Sequence, residues 1–454
     1  MKNILKQKPN LTEYSNSNNL IKLLKENNKA KIRENLNEYH PSEIASLIQV
    51  SNSKERKKIL QLLTYNFNNQ ILIELDPSFL ENISDEIDVN ILIKAINELD
   101  SDESALIFRS LSHKKKEIIL PRIKKKNRIL LEHNLSFPEN SAGKLMQSEL
   151  VKIPKGFNVG DVIDLIRSSK NLPKIFYDVY VVDSKNTFYG SVSLCKIISS
   201  KRDINILDLL KKNQESVDYR LDQEDVADIF RKRNLTSLAV VDGDKCLLGI
   251  INIENIVDVI DDEAEEDLLK LAGAGKQSFY GAILKVTKAR FTWLFFNLFA
   301  AFFASFIIKN FENTIANLAI LAALMPVVAS MGGCSGTQSL TTAVRAIAMK
   351  QLTLSNSFRS ISREMFIGLI NGLVFSTAAF LVTIFWFDDL TLSLVISLSL
   401  FINLIFGSIF GTSIPIILTR VGVDPAIASG TFVTMLTDIF GFFMFLTLAT
   451  IYLV

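Results

Sequence analysis

The chain has 454 residues, of which 48% are hydrophobic and 22% are charged, and its formal net charge is +2. A chain of this length corresponds to about three domains. The charges are unevenly distributed: 86 of the 98 Asp, Glu, Lys and Arg residues lie in residues 1–290, and 12 lie in the final 164 residues. This split excludes a purely soluble protein and an intrinsically disordered one.

The positions of the cysteines and histidines indicate the compartment and exclude some kinds of site. The three cysteines are far apart and have no metal-ligand spacing, which fits a reducing compartment and no disulfide framework. All three histidines lie in the first 135 residues, so the apolar half has no imidazole for a metal site or a proton relay. The polar N-terminus does not resemble a signal peptide, and the first ~290 residues are therefore expected in the cytoplasm.

The first 135 residues carry apolar residues at helical spacing and predict a set of short helices. Three helix starts are marked by cap residues: His40 and Asp76 each precede Pro-Ser, and Asp100 precedes Ser-Asp-Glu. Helical pairs stacked as a small superhelix are the simplest fold for this segment. Its basic run, residues 114–128, is interpreted as a solvated helix surface, and no nucleic-acid partner is expected.

The next segment contains an internal duplication. In each copy a helix is followed by a strand that ends at Asp183 or Asp242, and a glycine, Gly190 or Gly249, comes seven residues later. Each copy is predicted to fold as helix, strand, turn, strand and helix. This pattern resembles the paired α/β CBS regulatory domain. Such pairs often bind adenosine nucleotides through a small hydroxyl residue and an Asp shortly after the glycine.

The residues expected at such a nucleotide site are only partly present. The first copy keeps Ser193 but has Lys196 at the Asp position, and the second copy has Asn252 and Asn255. ATP is therefore a doubtful ligand of the pair.

Five apolar stretches follow, each close to or above the ~20 residues that span a bilayer core. The predicted spans are 291–308, 314–332, 365–387, 391–418 and 425–453. Basic residues precede the first span and lie between the second and third and between the fourth and fifth. By the positive-inside rule these loops are cytoplasmic. We therefore expect a multi-pass protein of the cell (inner) membrane, with its N-terminus in the cytoplasm and its C-terminus outside.

Asp438 lies near the middle of the fifth stretch, which carries no other charge. A carboxylate facing lipid costs a few kcal/mol, about 3 at the helix centre, so it should face water or a partner. A bound cation is the favoured partner, since no basic residue lies at the same depth. Thr434 shares its helix face, and Gly430 and Gly441 flank it. The alternative is a protonated Asp438 that hydrogen-bonds to a neighbouring helix.

A glycine-rich segment, residues 332–338, follows the second predicted span. Together with Pro326 it argues against an undisturbed lipid-facing helix. Irregular backbone at membrane depth, satisfied by protein or water, is one interpretation. A kink followed by a cytoplasmic turn is the other.

Over nearly its full length the chain resembles the MgtE family of magnesium channels. The resemblance is carried by GGCSGTQ at 332–338, by VDPAIASG at 423–430 followed by Thr437-Asp438, and by HPSEIA at 40–45. Cys334 stands where the family usually has Asn, so no ion-contacting role is assigned to it.

The resemblance implies a multidomain membrane protein. Its parts are an all-α superhelical N-terminal regulatory domain over 1–135, an α/β CBS-domain pair over 136–262, a connecting (plug) helix over 263–288 and a five-helix transmembrane pore domain over 289–454. The resemblance further implies a homodimer in the lipid bilayer whose second and fifth spans line a pore, with Asp438 facing Mg²⁺. No covalent chemistry is required, and the chain is not expected to be an enzyme.

Residues 258–267 read DVIDDEAEED, with seven acids and no base. Such a run is ordinarily a solvated linker. In the family, however, acids here and in the second CBS copy bind intracellular Mg²⁺ and hold the channel shut. By matching position this regulatory metal-binding role falls to Asp222, Glu224, Asp258, Glu263, Glu266 and Asp267, with Asp424 as a membrane-side participant. Asn234 and Asn255 stand where acids are expected, which predicts fewer sites or a lower affinity.

The leading hypothesis is a Mg²⁺-selective channel for magnesium uptake that intracellular Mg²⁺ closes. The alternative is a secondary transporter of Mg²⁺ or another divalent cation, coupled to a proton or sodium gradient, in which Asp438 carries the coupling protons. A CBS-regulated membrane enzyme is a third class, but the spans lack a nucleophile–base pair or a metal cluster.

Overall fold

The fold is known from a computed structural model that describes residues 39–63, 67–169, 172–173, 175–211, 215–275, 278–427 and 430–454. The part of the N-terminal domain expected over residues 1–38 lies outside the described residues. The chain divides into two compact units. The first comprises residues up to 263 together with 280–282, and the second comprises 264–279 together with 283–454.

Short helices form the described part of the N-terminal domain. They are α1 (Pro41–Val50), α2 (Ser53–Leu63), α3 (Pro77–Ile83), α4 (Val89–Glu98), α5 (Ser101–Arg109), α6 (His113–Ile119) and α7 (Lys125–Ser136). The three predicted helix starts are confirmed. His40 and Asp100 each form a capping box, and the Asp76 carboxylate accepts a hydrogen bond from the Phe79 amide at 2.9 Å. The apolar faces of these helices share one buried core.

The CBS pair follows, and the predicted duplication is confirmed strand by strand. Its elements are α8 (Ala142–Leu145), β1 (Lys152–Pro154), α9 (Val159–Ser168), β2 (Asp178–Val182), β3 (Phe188–Ser193), α10 (Leu194–Ser199), β4 (Ser216–Asp218), α11 (Gln223–Arg233), β5 (Ser237–Val241), β6 (Leu247–Asn252) and α12 (Ile253–Leu271). In each copy the central strand, β2 or β5, pairs in parallel with the short first strand and antiparallel with the third.

A buried polar network joins the two copies. The Tyr180 hydroxyl donates to Ser237 Oγ at 2.7 Å, and that hydroxyl donates to Asp178 Oδ2 at 2.5 Å. Lys211 Nζ lies 2.6 Å from the same carboxylate oxygen. Because β2 contributes Tyr180 and Asp178 and β5 contributes Ser237, the network fixes the central strands of the two copies to each other.

Helix α12 continues without a break from the second CBS copy through the acidic run. The connecting helix therefore has other bounds than the expected 263–288. It ends at Leu271, and two residues later Gly273 adopts a φ of +67°. The amides of Gly273 and Ala274 bond to the carbonyls of Lys270 and Leu269, an arrangement that closes a helix and favours glycine at the left-handed position.

Among the described residues, five helices are long and apolar enough to cross a membrane, in agreement with the five predicted spans. They are α13 (Ile283–Lys309), α15 (Ile320–Ala348), α16 (Ser357–Phe387), α17 (Leu390–Val421) and α18 (Gly430–Tyr452), and the short α14 (Glu312–Asn317) lies between the first two. The second span starts later than predicted because residues 312–317 form that separate helix.

The glycine-rich segment is helical, which neither of its two interpretations anticipated. Helix α15 runs through residues 332–338 and contains Pro326 within its length. Its three glycines are buried against α17 and α18 and so face protein. A Cβ atom on Gly411 would lie 2.2 Å from the Gly336 carbonyl oxygen, and one on Gly407 would lie 2.6 Å from that of Gly332. The glycines therefore permit direct contact between two backbones, as small residues do in membrane helix pairs.

Gly411→Ala should disrupt this packing, because the added methyl group would overlap the backbone of α15. Overpacking of this kind costs about 1–3 kcal/mol. We expect a lower apparent unfolding temperature and less monodisperse protein in size-exclusion chromatography in detergent. Gly243→Ala is the matched control, since its Cβ would meet nothing within 4 Å. Equal behaviour of the two variants would contradict the close contact.

The N-terminal domain meets the CBS pair at a buried carboxylate. Asp102 on α5 accepts a hydrogen bond from Asn255 Nδ2 on α12 at 2.6 Å. Its second oxygen, Oδ1, is buried and has no hydrogen-bond partner among the described residues. Burial raises the pKa of Asp102 to about 6, and the nearby acids Asp100 and Glu149 add to the rise.

Asp102→Asn should change the pH dependence of stability. A pKa of about 6 against an ordinary 3.8 means that ionising Asp102 in the folded protein costs about 3 kcal/mol near neutral pH. This cost disappears as the pH falls through 6 toward 4. We therefore expect Asp102→Asn to raise the apparent unfolding temperature of the full chain at pH 8 and to raise it by only about a third as much near pH 4.5.

The control for this experiment is Asp164→Asn, which alters an exposed ion pair with Arg202 that contributes little to stability. An effect of Asp102→Asn that is the same at both pH values would show that ionisation of this carboxyl carries no cost.

Candidate ion pathway and acidic junctions

Asp438 lies on α18 and is half-buried. Within the described part of the chain it forms neither an ion pair nor a side-chain hydrogen bond. One turn earlier, the Thr434 hydroxyl donates to the Gly430 carbonyl at 2.8 Å. Because its proton is committed to its own helix, the Thr434 oxygen can act as an acceptor beside the carboxylate.

A cavity of about 280 Å³ lies beside Asp438 between the first and fifth spans, α13 and α18, whereas the resemblance implies a pore lined by the second and fifth. Helix α18 lines it with Thr431, Thr434, Met435 and Asp438, and α13 lines it with Asn297, Ala300, Ala301 and Ala304. The three alanines leave the space open because their side chains are short. A carboxylate, an amide and two hydroxyls then supply the oxygen atoms that a hydrated cation favours.

The two glycines that flank Asp438 serve helix packing. A Cβ on Gly441 would lie 2.6 Å from Asn403 Nδ2, and one on Gly430 would lie 3.4 Å from the Thr337 side chain. These glycines therefore permit the close approach of neighbouring helices to α18.

Asn403 is a polar residue that the sequence interpretation missed. It lies on α17, is fully buried, and donates from Nδ2 to the Val328 carbonyl on α15 at 2.8 Å. It also lies against Gly441 of α18 and so joins three membrane helices. The available signal was an asparagine within an apolar span, where polar side chains commonly hydrogen-bond across helices.

Asp424 lies in the loop between α17 and α18. Helix α17 ends with Gly422 at a φ of +77°, and a short 3₁₀ turn, Pro425–Ile427, follows. Asp424 Oδ1 accepts from the Ala426 amide at 2.8 Å and so caps this turn. Its second oxygen points to a different partner.

That partner is Lys270, in the last turn of α12. Lys270 Nζ lies 2.6 Å from Asp424 Oδ2 and 2.8 Å from Glu266 Oε1. Partial burial lowers the pKa of Lys270, but the hydrogen bonds to Asp424 and Glu266 outweigh this effect and raise the pKa above its ordinary value. The structure thus brings together two of the predicted metal ligands, with a lysine ammonium between them.

Three other predicted ligands lie around the start of α11. Asp222 caps this helix by accepting from the Glu224 amide at 2.9 Å. The intervening Gln223 donates from Nε2 to Glu263 Oε1 on α12 at 2.6 Å. The Gln223 side chain therefore links the acidic start of α11 to the acidic run of α12.

Asp258 and Asp267 lie on α12 outside these two groups. Partial burial raises the pKa of Asp258, and the acids Glu74 and Asp261 raise it further, so α12 faces an acidic side chain of the N-terminal domain. Across the described residues, no group of three or more His, Cys, Asp and Glu side chains is arranged to hold a metal ion. Among the described residues, the predicted ligands thus lie near one another in twos and threes.

The positions of a nucleotide site in the CBS pair are engaged in other contacts. The amide of Lys196 donates to Ser193 Oγ, and the Lys196 ammonium donates to the Leu209 carbonyl at 3.1 Å. Asn252 donates to Gln147, and Asn255 donates to Asp102.

Comparison with protein-family models agrees with this architecture. The model of the MgtE divalent cation transporter domain matches residues 325–448. The model of the MgtE intracellular N domain matches residues 39–140, and the CBS domain model matches residues 206–262. The expected fold class is confirmed.

Two curated relatives are magnesium transporters named MgtE. That of Enterococcus faecalis is 33% identical over 319 residues, which cover 70% of each chain. That of Thermus thermophilus is 30% identical over 446 residues, which cover 96% of this chain and 98% of the relative.

One solved structure is the cytosolic domain of the Mg²⁺ channel MgtE in complex with ATP. It matches with a TM-score of 0.50 and 25% identity, covering 54% of this chain and 99% of that one. The sequence relatives, the family models and the order of helical domain, CBS pair and five apolar helices agree with one another. The chain belongs to the MgtE family of magnesium transporters.

Proposed function

We propose that the chain is one subunit of a homodimeric, Mg²⁺-selective channel for magnesium uptake. It lies in the cell (inner) membrane with its N-terminus in the cytoplasm and its C-terminus outside. The orientation is supported by the loops: Arg345, Lys350, Arg359 and Arg363 separate the second and third spans, whereas Asp388 and Asp389 separate the third and fourth.

The observation that carries this proposal is the Asp438 cavity. A half-buried carboxylate without an ion-pair partner in the described residues lines a space that also holds one amide and two hydroxyls. An intramembrane acid is costly and usually marks an ion pathway. A divalent cation in the cavity would offset the cost of the charge.

The chemistry of Mg²⁺ suits a water-mediated contact. Mg²⁺ loses its waters reluctantly and usually keeps several of them when bound. In a homodimer, one Asp438 from each subunit would attract the hydrated ion, while Thr434 and Asn297 accept hydrogen bonds from its waters. Charge concentrates the ion and the width of the pathway selects it, and binding stays weak enough for release.

Closure by intracellular Mg²⁺ is the regulatory part of the proposal. Acidic faces that repel one another can dock when divalent cations lie between them. The acids proposed for this role are Asp222, Glu224, Asp258, Glu263, Glu266, Asp267 and Asp424. The raised pKa of Asp258, caused by partial burial and by Glu74 and Asp261, supports it, because a carboxylate among acids gains from a bound cation. Only tighter binding of Mg²⁺ to the closed state can produce the shift.

We do not propose that the CBS pair of this chain binds ATP. The solved relative binds ATP in its cytosolic domain. In this chain the Asp position of the first copy is Lys196, and Asn252 and Asn255 are engaged with Gln147 and Asp102. These contacts argue against the same use of the pair here.

A gradient-coupled transporter of Mg²⁺ or another divalent cation is the competing mechanism. There Asp438 would take up and release protons during each cycle. Reconstituted protein separates the two mechanisms, because a channel gives single-channel currents, whereas a coupled transporter saturates and follows a proton or sodium gradient.

Asp438→Asn should abolish or strongly reduce Mg²⁺ permeation, by tenfold or more, because the amide removes the charge and keeps the size. The measurement is Mg²⁺ current in patches with the protein reconstituted in liposomes. Asp388→Asn is the matched control: it neutralises an exposed acid at the end of α16, at a φ of +50° that asparagine also adopts. Undiminished current through Asp438→Asn would refute the proposed pathway.

Neutralising three acids of α12 together, with Glu263→Gln, Glu266→Gln and Asp267→Asn, should weaken closure by internal Mg²⁺. The variant loses attraction for divalent cations in the run, so we expect the half-inhibiting Mg²⁺ concentration to rise several-fold. Glu132→Gln, an exposed acid of α7, serves as the control. Inhibition indistinguishable from that of the unaltered protein would exclude these acids from the sensor.

A further inference from the structure

The junction between the end of α12 and the start of the last membrane helix already contains a positive charge. Lys270 Nζ lies within 2.8 Å of carboxylate oxygens from both Glu266 and Asp424. Glu266 precedes Lys270 by one helical turn, whereas Asp424 lies 154 positions further along the chain. All three side chains are partly buried, with side-chain exposures of 20%, 15% and 36% for Lys270, Glu266 and Asp424, so solvent screens the contact only in part.

The rest of the junction is apolar and closely packed. Leu271 packs against a buried cluster that includes Leu340, Ala426 and Val433. A Cβ on Gly430, the first residue of α18, would lie 3.5 Å from the Leu271 carbonyl oxygen. A Cβ on Gly273 would lie 3.3 Å from Thr431 Oγ1, and Thr431 also lines the Asp438 cavity. The last turn of α12 is therefore in direct contact with the helix that carries the cavity.

We propose that Lys270 is the resident cation of this junction: its ammonium bridges Glu266 and Asp424 and fastens α12 to the entrance of the ion pathway without Mg²⁺. The inference rests on the proposed function, because it assigns a gating role to this contact. Of the acids in the proposed sensor, Glu266 and Asp424 then hold Mg²⁺ only in competition with this ammonium, and the acids near α11 and along the remainder of α12 contribute the rest of the Mg²⁺ dependence of closure.

The charges at the junction determine how Lys270 affects its closure. With Lys270 present, two carboxylates share one ammonium, and both oxygens nearest the gap are occupied. A divalent ion would have to displace a cation that is covalently tethered to the same helix. Without the ammonium, its attraction to the two carboxylates is lost, and a divalent cation can take its place between them. Lys270 therefore determines the fraction of channels that are closed before any Mg²⁺ binds.

The test is Lys270→Met, which keeps most of the alkyl length and removes the charge, beside Lys270→Arg, which keeps the charge. We expect Lys270→Met to raise the open probability in Mg²⁺-free internal solution and to raise the half-inhibiting Mg²⁺ concentration at least threefold. Lys270→Arg should resemble the unaltered protein. Lys288→Met controls for loss of an exposed cytoplasmic-side lysine. Open probability and half-inhibiting concentration that Lys270→Met leaves unchanged or lowers would overturn the proposal.

A second measurement does not need conduction. Hydrogen exchange of the purified full chain, followed by mass spectrometry, reports the opening of residues 264–275. In EDTA these amides should exchange faster in Lys270→Met than in Lys270→Arg, and added Mg²⁺ should restore their protection. Equal exchange in EDTA would overturn the resident-cation role. An unaltered protein that carries no Mg²⁺ current would instead refute the proposed channel, and the exchange result would still decide the role of Lys270.

Discussion

A carboxylate at the middle of a hydrocarbon layer is the constraint on which the membrane half depends. An ionised Asp at the centre of a spanning helix costs about 3 kcal/mol. In this chain the apolar helix α18 carries Asp438, beside a cavity that holds an amide and two hydroxyls. In the proposed function, a hydrated Mg²⁺ ion offsets the cost of the charge each time it passes. The Asn403 bridge fixes α18, one wall of that cavity, to α15 and α17, which are themselves in backbone-to-backbone contact.

Helix α12 carries most of the proposed regulatory acids. Near its start, Asn255 donates to the buried Asp102 of the N-terminal domain, and at its end Lys270 is paired with Asp424. The acidic run lies between these two contacts on the same helix. In the proposed function, cations bound along the run act on this helix.

Local signals in the sequence predicted much of the fold. Cap residues marked the helix starts at His40, Asp76 and Asp100, and the two Asp–Gly spacings revealed the duplicated CBS fold. The contacts that the sequence did not reveal are all non-local. Residues 332–338 remain helical because Gly407 and Gly411 of another helix admit their backbone. In the sequence, Lys270 is one of many charged residues of its helix. Only the fold brings it into contact with Asp424, 154 positions away. The functional assignments of Asp438 and the regulatory acids came from family resemblance as well as from charge placement.

The most direct test of the central claim is a high-resolution cryo-electron microscopy map of the full chain in lipid, at saturating Mg²⁺ and in EDTA. If Asp438 holds the permeating ion through water, density should lie roughly 4 Å from its carboxylate, one hydration layer beyond the short Mg–O distance, and should vanish in EDTA. A carboxylate turned toward the acyl chains, with no Mg²⁺-dependent density nearby, would contradict the account.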